Sequence, residues 1–149
     1  MVVKLGSESG FDLIQVPVSR LSEMCDVTHG ITPWGYPINP EEIREAVSAG
    51  RVAPKPRRGF PGWPTERKRQ YHIKRVAYLV MNGWYDPIEI DVGVPSLNCY
   101  IDWPIVDGNH RFYASIVRED PFILAVISGE LDYAEEVLGV KSRATLSPL

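Results

Sequence analysis

One stretch of the chain has the residue types and spacing for anion chemistry: Ile105-Val106-Asp107-Gly108-Asn109-His110-Arg111. An apolar strand pattern runs into Asp-Gly, and a helical pattern starts at once. The first amides of a helix have no intrahelical partner, and the helix dipole adds partial positive charge there. Such a turn takes up an anion readily. Gly108 lets the backbone approach a ligand closely. Asn109 and His110 add polar side chains, and Arg111 can grip a phosphate with two parallel hydrogen bonds. Asp107 can cap the helix or hold a magnesium ion that rides on the phosphates.

A second stretch concentrates positive charge. Lys55, Arg57, Arg58, Arg67, Lys68, Arg69, Lys74 and Arg75 face a single acid, Glu66, within residues 55–75. That segment carries a formal +7 in a chain whose net charge is −3, which leaves the rest near −10. Phe60, Trp63, Tyr71 and His72 are interleaved with the cations. Cations follow a phosphate backbone and aromatic faces stack on bases, so Arg57, Arg58, Arg67, Lys68 and Arg69 are candidate nucleic-acid contacts. The other reading is a solvated basic loop and helix face, with the aromatics anchoring the loop to the core.

The remaining candidates are thinner. His29, His72 and His110 are widely spaced and match no metal-ligand pattern. Cys25 and Cys99 are too few for a disulfide framework and read as reduced or buried thiols. Trp34, Trp63, Trp84 and Trp103 read first as core filling. Glu41, Glu42 and Glu45 lie on one well-capped helix. They read as solvent-facing charges, with a general base for phosphoryl transfer as the alternative.

The elements that must position these residues follow from periodicity and capping. Residues 1–12 are polar and read as a flexible terminus, followed by one domain over 13–149. Leu13–Val18 reads as a short edge strand, with Ser19 capping a short helix. Asn39-Pro40-x-Glu42 is a capping-box start for a helix that Gly50 stops. Thr65 is the expected cap of a helix over 66–81, with Ile73, Val76, Ala77 and Val80 on its apolar face. Ile88, Ile90 and Val92 alternate as a strand, and Leu97–Val106 reads as a second extended stretch. A helix over 109–118, a strand over 122–127 and a helix over 131–138 complete the chain. The mixed order predicts an α+β fold, a small mixed sheet with flanking helices, rather than a doubly wound parallel sheet.

Composition excludes little beyond the obvious. Hydrophobic residues make up 44% and charged residues 23%, ordinary for a globular domain. No apolar run is long enough to span a bilayer, and the N-terminus lacks a signal core. The expectation is a cytoplasmic protein with no membrane partner.

The Asp107-Gly108-Asn109-His110-Arg111 stretch, followed by Phe112-Tyr113-Ala114-Ser115, resembles the Asp-Gly-x-His-Arg signature of the ParB/sulfiredoxin superfamily. The order around it is similar too: Val16-Pro17-Val18 before Leu21, the helix with Ile73-Lys74-Arg75-Val76-Ala77, then Gly83, Asp86-Pro87-Ile88-Glu89-Ile90, and a second strand into the signature. The resemblance implies a fold that binds a nucleotide phosphate on this turn, with ATP or CTP and magnesium as cofactors. It also implies that Lys74 or Arg75 lies close enough to add a second clamp. Members include CTP-dependent partition proteins, ATP-dependent sulfinic acid reductases, a serine kinase and plasmid proteins with nucleotide hydrolysis or DNA cleavage, so the fold does not fix the reaction. Sulfiredoxins carry a reactive cysteine where this chain has Asn109, so that reaction is not expected. Too few residues follow the last strand for the helix-turn-helix domain of a partition protein. The leading expectation is a magnesium-dependent nucleotide phosphohydrolase or DNA nuclease. In it His110 serves as acid/base, Arg111 stabilises phosphate charge and Asp107 orients the metal. The alternatives are a non-catalytic module that responds to nucleotide and binds DNA or protein, and a small-molecule kinase.

Overall fold

The computed structural model describes residues 13–141. The flexible terminus expected over 1–12 lies outside them. Four strands, β1 (Ile14–Pro17), β2 (Ile88–Asp91), β3 (Ile105–Asp107) and β4 (Phe122–Ser128), form one mixed sheet in the order β1-β4-β2-β3. The β2–β4 pair is parallel, and both outer pairs are antiparallel. Along β4, Ile123, Ala125 and Ile127 are buried while Phe122, Val126 and Ser128 are exposed. That period of two is what a sheet with one covered face requires. β1 is an edge strand, so Pro17 is tolerated there.

Five helices complete the fold, α1 (Val18–Cys25), α2 (Pro40–Ala49), α3 (Thr65–Asn82), α4 (Asn109–Val117) and α5 (Leu131–Leu138), with α4 set against β2 and β4, α3 against α4, α2 against α3 and α5 against α1. The result is a single α+β domain with one continuous core that includes Val16, Leu21, Ile43, Val76, Ile88, Phe112 and Leu138. The α4 helix buries Phe112, Tyr113, Ala114, Ser115 and Val117, leaving Ile116 half-buried. Two starts differ from expectation. Pro17 and Pro64, not Ser19 and Thr65, are the half-in residues of α1 and α3, and neither helix has a side-chain cap. At α3 the Pro64 carbonyl accepts the amides of Arg67 and Lys68. The extended stretch expected over 97–106 shrinks to β3. Pro95–Leu97 forms a 3-10 turn, and the Pro104 carbonyl is the acceptor for the Asp91 amide.

The α2 start has the expected capping box, with Asn39 and Glu42 bonding reciprocally. Arg69 of α3 also reaches this corner. Its guanidinium pairs with Glu42, bonds Glu66 at 3.1 Å and donates to the Pro37 carbonyl at 3.0 Å. Arg69 therefore serves as a tie between α2 and α3, and its charge is spent internally. Arg69→Ala is expected to cost about 2 kcal/mol, since charge-assisted bonds at a half-buried site are lost together. Thermal melting would read this as a midpoint roughly 5 °C lower. A midpoint within a degree of wild type would show the tie to be idle.

Candidate functional site

The turn from β3 into α4 is shaped by close packing. Gly108 has φ 103°, and a Cβ built there would lie 2.4 Å from Ile88 Cγ2 and 3.2 Å from Ile88 Cα. Only glycine brings the start of α4 this near to β2. Asp107 does not cap the helix. Its carboxylate instead takes Arg111 Nη2 at 3.2 Å, and α4 has no side-chain cap. Within the described residues the amides of Asn109, His110 and Arg111 accordingly have no hydrogen-bond partner, and the first amide to find one is that of Phe112, on the Gly108 carbonyl. The Asn109 side chain is used structurally. Its Oδ1 accepts from Trp103 Nε1 at 2.6 Å, and its Nδ2 donates to the Ile105 carbonyl at 3.4 Å.

Arg111 is engaged as well. One guanidinium nitrogen donates to the carbonyls of Asp86 and Pro87 at 2.9 and 3.0 Å, and the other meets Asp107. It fastens α4 to the entry of β2, and its side chain is 17% exposed. Gripping a phosphate would require it to exchange these partners. Arg75 lies across the same space. It donates to the Ala53 and Pro54 carbonyls at 3.2 and 2.9 Å and has no carboxylate partner among the described residues.

These groups border a cleft of about 610 Å3 lined by residues 106–111, Gly83–Asp86, Arg75, Tyr78 and Trp34. The volume suits a small organic ligand. Asn109, His110 and Arg111, whose amides are unpaired, all line it, and Tyr85 stands at its rim 98% exposed. Lys74, expected beside Arg75, does not line it. Among the described residues no group of three or more His, Cys, Asp or Glu side chains is placed to hold a metal ion. Asp107 is the carboxylate of the turn, 63% exposed and lining the cleft. A magnesium ion bound here would take Asp107 and draw its other ligands from phosphate and water, as this ion commonly does.

Spacing did not reveal that His72 and His110, on different helices, meet. His72 Nδ1 lies 2.8 Å from His110 Nε2, so one imidazole donates to the other. Trp34 stacks on both rings, at centroid distances of 4.5 and 5.1 Å. The loop carrying Trp34 is held by Tyr113, whose hydroxyl donates to the Ile31 carbonyl at 2.6 Å. Burial pushes His72 down to about 4 and His110 down to about 3, and nearby His72, Arg75 and Arg111 add to the effect on His110. Both rings are neutral at pH 7. His110 therefore enters any phosphate chemistry as an uncharged hydrogen-bonding group, a poor base and no phosphate-binding cation. The signal that could have located His72 was its helical spacing to Val76 and Leu79 on the buried face of α3.

The basic segment divides. Arg69 belongs to the α2–α3 tie. Arg57 and Arg67 both lie over the Trp63 ring, 4.4 and 3.8 Å from its centroid, and Arg57 Nε also bonds the Gly59 carbonyl. Phe60 packs edge-on to Tyr71 and His72, and Tyr71 donates to the Lys55 carbonyl. The aromatics thus anchor the loop, as one of the two sequence readings held. Of the α2 acids, Glu42 is used by Asn39 and Arg69 and Glu41 by Arg44, and none of Glu41, Glu42 and Glu45 lines the cleft. Cys25 is buried, with its thiol pushed up to about 12 by burial, and Cys99 is exposed; both are free. No helix among the described residues is long and apolar enough to cross a membrane. No known family model, curated protein or solved structure matches the chain.

Proposed function

We propose that this chain is a nucleotide-binding domain of the ParB/sulfiredoxin type, and that the phosphates of ATP or CTP sit in the cleft at the start of α4. One observation carries the reading: three consecutive unpaired amides, at Asn109, His110 and Arg111, belong to residues lining a ligand-sized cleft that Arg75 also lines. Helix-start amides with a cation alongside form an anion site. The exposed Tyr85 ring at the rim supplies a stacking face for a base.

The geometry favours binding over turnover. His110 is neutral and paired with His72, and Arg111 is occupied by two carbonyls and Asp107. The non-catalytic, nucleotide-responsive module is thus the first reading. Arg75 gives it a physical route, because the same guanidinium lines the cleft and holds the Ala53–Pro54 loop. The magnesium-dependent phosphohydrolase or nuclease is the second reading, supported by the exposed Asp107 carboxylate at the turn. A small-molecule kinase would need a base, and the carboxylates lining the cleft are Asp86 and Asp107.

Calorimetric titration with ATP, CTP, ADP and AMP, with and without magnesium, tests the proposal. Affinity should rise with phosphate number, and Arg75→Ala should lower it about tenfold, the loss of one charged contact. Equal binding by Arg75→Ala and wild type, or no binding up to about 1 mM, would remove the cleft from consideration. Release of inorganic phosphate would move the second reading ahead of the first.

A further inference from the structure

Outside residues 55–68, four of the seven described arginines, Arg44, Arg69, Arg111 and Arg118, have a carboxylate partner, and Arg20, Arg51 and Arg75 do not. Lys55, Arg57, Arg58, Arg67 and Lys68 have none among the described residues, although the chain as a whole is acidic. Lys55, Arg57, Arg58 and Arg67 are exposed. Two of the cations are held together: Arg57 and Arg67 share the Trp63 ring, so their charge centres lie within about 8 Å of each other, each attracted to the ring's negative face. Their mutual repulsion has no internal counter-charge, and an anion bridging them would relieve it.

The loop that presents them is built in place. The Ala53 amide donates to the Lys74 carbonyl at 3.0 Å, the Tyr71 hydroxyl to the Lys55 carbonyl at 3.2 Å, and the Trp63 amide to the Phe60 carbonyl at 3.1 Å. These bonds lie the segment along α3 instead of projecting it, which does not suit entry into a duplex groove. Five cations spread along a loop and the first turn of a helix exceed what one phosphate can contact. They match a run of phosphates. The guanidinium groups of Arg57 and Arg67, lying over the half-buried Trp63, offer flat faces for unpaired bases.

We infer that the surface formed by Lys55, Arg57, Arg58, Arg67 and Lys68 around Trp63 binds single-stranded nucleic acid, chiefly through its phosphates. This surface does not depend on the nucleotide cleft, and either assignment can fail without the other. Pro56 lines the cleft and adjoins Arg57, so the two sites would be neighbours on one loop.

Fluorescence anisotropy with labelled single-stranded oligonucleotides of mixed sequence tests the assignment. Binding should weaken as salt rises, with a slope of log K on log salt of about −3 for four neutralised phosphates on a single strand. Arg57→Ala with Arg67→Ala should weaken binding at least tenfold and bring the slope to about −1.5. Arg44→Ala, which removes an exposed cation paired with Glu41 on α2, should leave oligonucleotide binding unchanged. Should the double variant melt early, Arg58→Ala carries the test alone, with a loss of about threefold. Binding that is absent at low salt, or is the same in wild type and both variants, overturns the assignment. So does tighter binding of duplex, or equal competition by inorganic polyphosphate and oligonucleotide.

Discussion

Gly108→Ala is expected to melt about 10 °C below wild type. A Cβ at this position would sit 2.4 Å from Ile88 Cγ2, 2.8 Å from Ile88 Cβ and 3.2 Å from Ile88 Cα. Ile88 is fully buried at the start of β2, in register with Ala125 of β4, so it has nowhere to move. Backbone strain at φ 103° adds to the clash, because an L side chain is disfavoured at positive φ. Overpacking of about 1–3 kcal/mol and left-handed strain of about 1–2 kcal/mol together give the expected loss. Gly30→Ala is the matched control. Its φ is 81° with nothing within 4 Å of the added Cβ, so only the backbone contribution remains. If the two variants melted together within about 2 °C, close packing at the turn would not be what requires glycine there.

This glycine illustrates what could be read from the chain alone. Asp-Gly at a strand-to-helix boundary announced the turn, and the structure places it there. The reason for glycine was assigned to an approaching ligand, whereas the atom that approaches is Ile88 of the neighbouring strand. Local signals, such as the Asn39–Glu42 capping box and the alternation of β2, survived because the contacts that decide them lie within a few residues. Long-range contacts did not. Arg69 looked like part of a charge run until the fold brought Glu42 and the Pro37 carbonyl to it. Arg111 was read as a free clamp, and no spacing rule could show that Asp86 and Pro87 would offer their carbonyls.

The same limitation hid the imidazole pair, and this leads to a test by pH. In the folded chain His72 and His110 stay neutral well below the ordinary imidazole value near 6.5, because both rings are desolvated beneath Trp34, and His110, half-buried at the cleft wall, also lies near His72, Arg75 and Arg111. In the unfolded chain both take up protons near 6.5. The sign follows. Above about 6.5 neither state is charged and the pair has no pH effect on stability. Below that value the unfolded state binds protons that the folded state refuses, so stability falls with pH until the folded values, about 4 for His72 and about 3 for His110, are reached.

Each histidine contributes a slope of about 1.4 kcal/mol per pH unit in this window. Between pH 6.5 and 4.5 the pair should therefore remove roughly 3–5 kcal/mol, measurable by urea unfolding across the range. Two other groups are separable by sign or window. Glu42, held below its usual value by Arg69, loses its stabilising effect only as pH falls below about 4.5. His29, exposed and raised by Asp26, acts in the opposite direction, since its contribution is full in acid and lost as pH rises. His72→Asn keeps a hydrogen-bonding partner for His110 but removes one titrating ring. It should halve the loss between pH 6.5 and 4.5, whatever its effect at pH 7. A variant whose stability falls with the same slope as wild type would mean that His72 is protonated in the folded state, and that Trp34 does not exclude water from the pair.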